Sequence, residues 1–409
     1  MAQIYLVGGA VRDKLLGLPV QDRDWLVVGS SPDELMAQGF LPVGRDFPVF
    51  LHPKTHEEYA LARTERKISK GYAGFAFDTS SQVSLEDDLS RRDLTINAMA
   101  EDSSGSLIDP FGGQKDLQNK ILRHVSPAFA EDPVRILRTA RFAARYGFQV
   151  APETMCLMKN MVENGEVNAL VPERVWQEIS RGLMEKTPSK MFAVLKECGA
   201  LAVILPEINA LYGVPQRADY HPEIDCAVHT LMAVDYAAQH NFSLPERYAT
   251  LTHDLGKALT PPDILPKHHG HEKAGIEPVK TLNKRLNVPK DCAKLALLVV
   301  ENHGLFHSIS ELKATTIVDI LHKTDAFRHP EKFISAVKIG FADTRGRKTF
   351  EHAPYPQFDH WQEILKICQE IDIQSIIQSV TDKSQIPEKI RQARIVAVKE
   401  WKKKVFQAA

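Results

Sequence analysis

The sequence predicts an α/β amino-terminal domain followed by a mostly α-helical body. Short apolar, β-branched runs alternate with helical segments up to about residue 112, and from Asp116 onward apolar residues recur almost throughout at helical spacing. A length of 409 residues accommodates two to four domains, and a hydrophobic content of 44% supports ordinary cores. We place the domains at residues 1–125, 126–225, 226–330 and 331–409.

The composition argues against a membrane-spanning or secreted protein. No apolar stretch approaches the ~20 residues that span a bilayer, and charged residues follow Gly8-Gly9 too closely for a signal peptide. The five cysteines are odd in number and widely spaced, which is typical of reduced thiols in a cytoplasmic protein. A net charge of −1 by itself argues against a polyanionic partner, but the basic residues are clustered. We expect a monomer or a homodimer.

The first element is a strand that leads through a glycine turn into a helix. Residues 4–7 form a short apolar run, and Gly8-Gly9 allows a sharp turn into a helix at residues 10–16. Unpaired N–H groups at such a helix start attract phosphate, and glycine lets the phosphate approach closely. Arg12 adds a cation in the first turn. The turn is therefore a candidate triphosphate site.

The second strand carries Asp22 and Asp24. Residues two apart on a strand point to the same side, so the two carboxylates are expected to converge. Adjacent carboxylates that face a triphosphate repel each other unless a cation lies between them. Mg²⁺, which prefers oxygen ligands and shares them with substrate phosphates, fits this arrangement.

In this order and spacing, the run Gly8-Gly9-Ala10-Val11-Arg12-Asp13 with Asp22-Arg23-Asp24 resembles the head of the polymerase-β-like nucleotidyltransferases. In detail it is similar to the bacterial CCA-adding enzymes, the tRNA nucleotidyltransferases of the eubacterial and eukaryotic class, over most of the chain to about Phe350. The resemblance implies CCA addition to tRNA from CTP and ATP, with Asp22 and Asp24 as catalytic Mg²⁺ ligands. It also implies a third carboxylate, for which Glu57 and Glu58 are candidates, although either also suits a surface strand start.

The rest of the head contains two predicted helices, at residues 32–38 and 85–100. The second carries Arg92 and Asp93, which would form an ion-pair surface in an ordinary helix. The resemblance instead implies that Arg92 contacts the triphosphate and Asp93 lies near the sugar. Between these helices, residues 63–74 form a basic loop that is either a solvated turn or a flap over nucleotide or primer.

A helix rich in arginine follows the head, in residues 131–145. At about 100° per residue, its four arginines fall within an arc of about 120°, opposite leucine and alanine. Without interleaved acids, this arc is predicted to be a solvated, phosphate-binding face formed by Arg135, Arg138, Arg141 and Arg145.

Asp132 and Arg135 begin the same helix and are predicted to lie side by side. Cytosine and adenine both present an amino donor beside a ring-nitrogen acceptor, whereas guanine and uracil do not. A carboxylate beside a guanidinium therefore accepts C and A, and the resemblance assigns these two positions the same role. The predicted nucleotide-binding residues are Gly8, Gly9, Arg12, Arg92, Asp93, Asp132, Arg135, Arg138 and Arg141.

Residues 150–225 are predicted to be helical and to hold tRNA, and the chemistry changes from His229 onward. His229, His253-Asp254 and Lys257, with further histidines at 268–271 and at 303, resemble the HD phosphohydrolase domain. Imidazoles with a carboxylate favour a transition metal such as Ni²⁺, Mn²⁺ or Zn²⁺. Phosphatase or phosphodiesterase activity of the 2′,3′-cyclic phosphodiesterase or 2′-nucleotidase type would follow. Asp319 or Asp325 is expected to complete the ligands.

The basic tail after residue 347 is either a solubilising helix or a contact for the tRNA backbone.

Three other functions compete with CCA addition. Poly(A) polymerases share nearly every head motif but normally lack a histidine-rich domain, and protein uridylyltransferases need longer regulatory modules. In the third alternative, the head is an inert nucleotide sensor that controls an HD hydrolase. Such a sensor needs neither the aspartate pair nor Asp132 with Arg135, so the presence of these residues argues against it.

Overall fold

The structure is a computed structural model that describes residues 2–43, 49–67, 75–78 and 82–406, with only the backbone of 64–67 and 75–78. The glycine-bearing part of the predicted basic loop, residues 71–74, lies outside the described residues. The chain divides into two compact units: the first comprises Met1–Gly182 and Lys190–Ile204, and the second comprises Leu183–Ser189 and Leu205–Ala409.

All strands of the described chain lie in the first unit, which confirms the predicted α/β beginning. They are β1 Gln3–Val7, β2 Asp24–Val28, β3 Leu41–Val43, β4 Val49–Leu51, β5 Glu58–Leu61, β6 Thr64–Lys67, β7 Phe75–Asp78, β8 Ala100–Glu101, β9 Leu107–Ile108, β10 Ile121–Leu122 and β11 Gln149–Val150. The helices of this unit are α1 Gly9–Leu15, α2 Pro32–Ala37, α3 Leu85–Ser90, α4 Gly113–Asn119, α5 Val134–Tyr146, α6 Pro152–Glu163, α7 Pro172–Leu183, α8 Ser189–Glu197 and α9 Ala200–Ile204.

The described part of the second unit is helical, as predicted for the body. Its helices are α10 Pro206–Asn209, α11 Cys226–Gln239, α12 Leu244–Thr252, α13 His271–Arg285, α14 Lys290–His307, α15 Ala314–Lys323, α16 Pro330–Arg345, α17 Gln357–Gln369, α18 Ile373–Ser379 and α19 Ile386–Phe406. Helices α11, α12, α14 and α16 pack against one another. Among the described residues, no helix combines the length and apolar character that a membrane crossing requires. All five cysteines are free thiols.

The main sheet places the predicted glycine turn beside an aspartate. Its strand order is β3-β4-β5-β2-β1-β8-β9. Strand β1 pairs antiparallel with β2 in a register that sets Val7 opposite Asp24. Because Gly8 directly follows Val7, the turn into α1 lies next to the start of β2. Buried Val7, Leu26 and Leu89 pack beneath this edge of the sheet.

Two local predictions for the head need correction. The strand was expected to carry both aspartates, but β2 begins at Asp24 and Asp22 lies in the preceding loop. The helix expected over residues 85–100 ends at Ser90. Asp93 accepts hydrogen bonds from the backbone N–H of Leu94 at 2.8 Å and from Asn97 at 2.9 Å. Such local side-chain bonds compete with helical hydrogen bonding and favour the turn observed here.

The tail folds back on its own unit. Arg394 of α19 is 7% exposed, with its guanidinium carbon 3.6 Å from the centroid of the Phe327 ring. Arg391 pairs with both carboxylate oxygens of Asp319 on α15, at 2.9 and 3.1 Å. Trp401 is 7% exposed. Helix α19 is therefore a packed element of the second unit rather than a solubilising appendage.

Two glycines allow α13 to approach the short helical turn Leu255–Leu259 closely. A Cβ at Gly256 would overlap the His271 carbonyl oxygen and lie 2.5 Å from the Gly275 nitrogen. Backbone atoms there have no flexible end that can move aside. The contact fixes the start of α13 beside the His253-Asp254 sequence.

We predict that Gly256→Ala destabilises the second unit by more than about 3 kcal/mol, the upper range for overpacking, because the clash is with backbone. Gly270→Ala is the control: its φ of 78° is unfavourable for alanine, but an added Cβ meets nothing within 4 Å. We expect the control to cost about 1 kcal/mol. Urea unfolding of both variants measures the difference, and equal costs would contradict the steric explanation.

Candidate active sites

The structure brings the glycine turn, Asp24 and Arg92 together in the head. An added Cβ at Gly8, whose φ is 68°, would lie 2.8 Å from an Arg92 guanidinium nitrogen. Arg92 donates to Asp88 at 3.1 Å and is half-buried. The positive charge of Arg92 also lowers the pKa of the Asp24 carboxyl, against the larger raising effect of burial. The predicted phosphate turn and the predicted metal ligand therefore share one arginine neighbour.

Asp24 has an electrostatic environment that suits a cation. Burial raises the pKa of its carboxyl, the positive charge of Arg92 opposes that shift, and the negative charge of Asp22 adds to it. The two carboxylates are thus close enough to repel, as the sequence predicted. A hard divalent cation relieves this repulsion and accepts oxygen ligands, so these residues fit Mg²⁺.

The two candidates for a third carboxylate differ in their surroundings. Glu58 is the register partner of Asp24 on the parallel strand β5. Glu57 accepts a hydrogen bond from the Trp25 indole at 3.2 Å and lies 3.8 Å from Arg23. Glu58 is therefore the better-placed candidate.

Arg12 does not stand free at the start of α1. It is 5% exposed, donates to Asp13 at 2.9 Å and also donates to Asn97. Its guanidinium lies 5.2 Å from the centroid of the Phe142 ring and 5.1 Å from that of Tyr146. Arg12 thus ties α1 to α5 behind the glycine turn.

Asp93 is a fully engaged buried carboxylate. Besides the bonds from Leu94 and Asn97, it accepts one from Arg138 at 2.8 Å. Burial opposes its ionisation, but the charge of Arg138 and these hydrogen bonds outweigh burial and lower the pKa of its carboxyl. Asp93 therefore stays ionised and fixes the position of the Arg138 guanidinium.

The prediction that α5 presents a solvated basic face is wrong for Arg135 and Arg141, whereas the side chains of Arg138 and Arg145 are 37% and 35% exposed. Arg141 is 7% exposed and pairs with Glu178 of α7 at 2.6 Å. Arg145 lies 3.5 Å from Asp13. Arg135 is buried and donates to the backbone carbonyls of Ala128 at 2.9 Å and Arg91 at 2.7 Å. The sequence lacks acids within α5, but acids distant in sequence supply the missing charge.

Asp132 and Arg135, which were predicted to lie side by side, each have hydrogen-bond partners elsewhere. The Arg174 guanidinium of α7 donates hydrogen bonds to both oxygens of the Asp132 carboxylate, at 3.2 and 2.8 Å. Asp132 also accepts from the backbone N–H of Val134 at 3.1 Å. Nothing in the local sequence around Arg174 signals this contact, since the two residues are 42 positions apart.

The second unit contains a buried cluster of histidines and carboxylates. Nε2 of His229 lies 3.0 Å from Asp343 and 3.8 Å from Asp254. Nε2 of His253 lies 3.1 Å from Asp254 and 3.9 Å from Asp343. All four residues are nine-tenths or more buried. The predicted residues His229, His253 and Asp254 therefore converge, joined by Asp343.

Neither acid expected to complete this set takes part. Asp319 lies on the surface, paired with Arg391, and Asp325 pairs with Arg328 at 2.6 Å with its side chain 39% exposed. Asp343 of α16 instead supplies the second carboxylate of the cluster. A sequence signal existed, because Asp343 follows buried Ile339 and Ala342 on an apolar helix face where an acid is unexpected.

The donor set fits a divalent cation. Nδ1 of His253 donates to the Thr250 carbonyl at 2.7 Å, so Nε2 is the ring atom that faces the carboxylates and would offer a lone pair to a metal once it loses its proton. That Nε2 atom is buried and has no hydrogen-bond partner among the described residues. Burial opposes the ionisation of both carboxyls. His253 and Lys257 nevertheless keep the pKa of Asp254 well below its usual range, and Arg347 and His307 do the same for Asp343.

A basic cavity of about 380 Å³ borders this cluster. Its lining includes Arg217, Tyr220, Lys257, Lys267 and Arg347. Lys257 reaches inward to Asp254 at 2.6 Å and to Gln216 at 2.6 Å. Cations and an exposed aromatic ring beside a metal-binding donor set suit a phosphate ester that carries a base.

Three family models match the chain. The model described as the poly A polymerase head domain matches residues 4–123. The model described as a probable RNA- and SrmB-binding site of polymerase A matches residues 147–212. The HD domain model matches residues 227–332, so Asp343 lies beyond it.

The chain is similar to curated and structurally characterised proteins over nearly its whole length. It is 62% identical to a multifunctional CCA protein of Neisseria meningitidis serogroup C, covering 100% of this chain and 98% of the relative. It is 60% identical to one of Chromobacterium violaceum, covering 98% and 99%. The Thermotoga maritima CCA-adding enzyme complexed with tRNA is 21% identical, with a TM-score of 0.64 and coverage of 96% and 86%. Two further structures, of CCA-adding enzymes in complex with ATP and with CTP, are each 22% identical and each cover 96% of this chain. The ATP complex has a TM-score of 0.64 with 85% of its own chain covered, and the CTP complex has a TM-score of 0.63 with 86% covered.

We predict that Arg141→Leu destabilises the first unit by about 3–5 kcal/mol, because it leaves the Glu178 carboxylate buried without its partner. Arg145→Leu on the same helix is the matched control and should cost at most about 1 kcal/mol, since its side chain is 35% exposed. Denaturant unfolding of both variants checks the difference. Equal losses would mean that Arg141 is not a buried ion-pair partner.

Proposed function

The chain belongs to the multifunctional CCA protein family, and we propose from this premise that it adds C, C and A to the 3′ end of tRNA. The substrates are CTP and ATP, the product is pyrophosphate, and the role is tRNA maturation and repair. The observation that carries the proposal is the convergence of the Gly8 turn, Asp24 and Arg92 at one edge of the sheet.

In this proposal, Asp22 and Asp24 would hold Mg²⁺ beside the place where the tRNA 3′ hydroxyl meets the α-phosphate. Bound there, Mg²⁺ would supply charge neutralisation for the transferred nucleotidyl group and the leaving pyrophosphate. Gly8 and Gly9 let the triphosphate approach the backbone, and Arg92 and Arg138 offset its charge. Catalysis is then mainly positioning and electrostatic stabilisation.

Selection of C and A is assigned to Asp132 with Arg135. The hydrogen bonds from Arg174 fix the Asp132 carboxylate. Its remaining lone pairs can accept a hydrogen bond from the amino group that both bases carry. Arg135, now bound to two carbonyls, would have to turn toward the base. A mismatched base would leave these polar groups unpaired at about 1–3 kcal/mol each.

The tRNA is assigned to the helical region after the head. Support comes from the RNA-binding family model at residues 147–212 and from the tRNA complex of the Thermotoga maritima enzyme. Action in the cytoplasm, as a monomer or a homodimer, stays a prediction.

We propose a second activity, hydrolysis of phosphate esters such as 2′,3′-cyclic phosphates and 2′-nucleotides, in the second unit. His229, His253, Asp254 and Asp343 would hold a transition metal such as Ni²⁺, which imidazole-rich sites prefer to Mg²⁺. Bound there, the metal supplies a Lewis acid for the phosphoryl oxygen. Glu223 lies 2.9 Å from Nδ1 of His229 and orients that ring, while Lys257 and Arg347 attract the phosphate.

We predict that Asp22→Ala and Asp24→Ala each lower nucleotide incorporation more than about 1,000-fold, since several kcal/mol of charge stabilisation are lost. Binding of tRNA should change little. Asp33→Ala, an exposed acid on α2, is the control and should keep full activity. Substantial turnover by either variant would refute the assigned metal role.

The product ends separate the competing functions. Purified protein is given tRNA that lacks its 3′ terminus, with each nucleotide alone and with all together, and the products are sequenced. We expect CCA ends that require CTP and ATP. Tails of A or of U would identify a poly(A) polymerase or a uridylyltransferase, and no extension would favour a nucleotide-sensing head.

We predict that Asp343→Asn lowers hydrolysis of a 2′,3′-cyclic nucleotide by more than about 100-fold while CCA addition is unchanged, because one charged metal ligand is lost. Asp319→Asn, on the surface of the same unit, should leave both activities intact. Phosphate release and tRNA extension are measured on the same preparations. An active Asp343 variant would remove this residue from the ligand set.

A further inference from the structure

The rim of the basic cavity carries a stacked pair of flat side chains. The guanidinium carbon of Arg217 lies 4.7 Å from the centroid of the Tyr220 ring. The backbone N–H groups of Tyr220 and His221 donate to the Arg217 carbonyl at 3.1 and 2.9 Å, which makes this segment one helical turn. Because residues three apart on such a turn are neighbours, the stack is formed before any ligand binds.

An aspartate fixes the plane of this guanidinium. Nε of Arg217 donates to Asp219 at 3.1 Å, and a second guanidinium nitrogen pairs with the other carboxylate oxygen. A bidentate contact of this kind occupies the edge of the guanidinium rather than its faces. The Arg217 side chain is 45% exposed and Tyr220 is 54% exposed. Since every nucleobase has a flat face that stacks on an aromatic ring or an arginine plane, the pair is a preformed platform for a base.

The residue before this pair, Gln216, holds an unused hydrogen-bond donor in the cavity wall. Gln216 is 3% exposed, and its Oε1 accepts from Nζ of Lys257 at 2.6 Å. An ammonium group only donates, so this contact identifies which end of the amide is the oxygen. The amide nitrogen Nε2 is buried and has no hydrogen-bond partner within the described residues. A buried donor without an acceptor is costly, so we expect an acceptor from outside the chain, either water or a ligand.

The same lysine connects Gln216 with the phosphohydrolase centre. Nζ of Lys257 also lies 2.6 Å from Asp254, so one ammonium group contacts both the amide and a proposed metal ligand. Gln216, Lys257 and Arg347 all line the cavity. Phosphate oxygens are anionic acceptors, and a phosphate attracted by these two cations would supply the acceptor that the Gln216 amide lacks.

We propose that Gln216, Arg217 and Tyr220 form a nucleotide-binding subsite of the phosphohydrolase cavity. The stack of Arg217 on Tyr220 holds the base, and the Gln216 amide donates to a phosphate oxygen. This inference rests on the proposed hydrolysis of phosphate esters and adds which part of the substrate is recognised. Stacking reads the face of a base and not its hydrogen-bonding edge, so the subsite accepts all four bases.

The test compares a substrate that has a base with one that lacks it. The full-length protein, in buffer with Ni²⁺, is given adenosine 2′,3′-cyclic phosphate or glycerol 1,2-cyclic phosphate, and kcat/KM is measured for each. We expect Tyr220→Ala to lower kcat/KM for the adenosine compound by about 5- to 100-fold, the usual effect of losing one base stack, without this loss for the glycerol compound. Arg217→Lys keeps the charge but not the planar face, and should show the same selective loss.

Three further variants define the contributions. Tyr220→Phe keeps the ring and should restore the preference for the adenosine compound. Gln216→Glu should lower kcat/KM for both compounds by at least about 10-fold, because it removes the donor and places a negative charge against the phosphate. Ile377→Ala, which truncates an exposed side chain on α18, is the control and should keep both activities.

A binding measurement tests the subsite without relying on hydrolysis. The same proteins are titrated calorimetrically with 2′-AMP and with glycerol 2-phosphate. Because the head is identical in all of them, differences between variants report the second unit. We expect Tyr220→Ala to weaken 2′-AMP binding by about 5- to 100-fold and to leave glycerol 2-phosphate binding unchanged.

The outcomes separate the subsite from the activity on which it rests. Wild-type hydrolysis of the cyclic phosphates with an equally active Tyr220→Ala variant would overturn the subsite and leave the phosphohydrolase in place. Hydrolysis of neither compound by the wild type would overturn the phosphohydrolase, and the 2′-AMP titration would then decide the subsite alone. Weaker binding by Tyr220→Ala supports the subsite there, and equal binding overturns it.

Discussion

A carboxylate removed from water must meet positive charge, and both units of this protein are built around that requirement. In the first unit, Asp93 and Glu178 are buried, and each takes an arginine from α5. In the second, Asp254 and Asp343 are buried among imidazoles, a lysine and an arginine. The arginine pairs of the first unit and the imidazole contacts of Asp343 in the second connect elements that are far apart in sequence, so the fold that satisfies them also assembles the sites.

The same requirement gives the two proposed metal sites different surroundings. Asp22 and Asp24 are oxygen donors that water can reach, although the fold partly desolvates the Asp24 carboxylate, and a hard, partly hydrated ion binds well in such a setting. The carboxylates of the second unit are withdrawn from water and share their space with ring nitrogens, which favours a softer ion. The two proposed metal sites would therefore not compete for the same ion.

Sequence reasoning succeeded where the signal is local. The strand, glycine turn and helix at the start are consecutive residues, as are His253 and Asp254, and their conformations follow from short-range rules. It failed where the partner is distant. Asp343 reaches His229 across 114 positions, and Arg174 reaches Asp132 across 42. The arginines of α5 were expected in solvent for the same reason, since helical periodicity shows which residues share a face but not what covers that face.

The contact between Gly256 and Gly275 has a consequence for protein engineering. Because the backbones of two segments touch there, a methyl group at Gly256 would overlap the His271 carbonyl oxygen, and one at Gly275 would lie 2.6 Å from the Val300 side chain and 3.1 Å from the Gly256 nitrogen. A mutagenesis library aimed at new phosphate-ester substrates should therefore keep both glycines constant and diversify the rim at Arg217, Tyr220 and Lys267. Diversity at the rim would alter which molecules enter, whereas diversity at the glycines would dismantle the reaction centre itself.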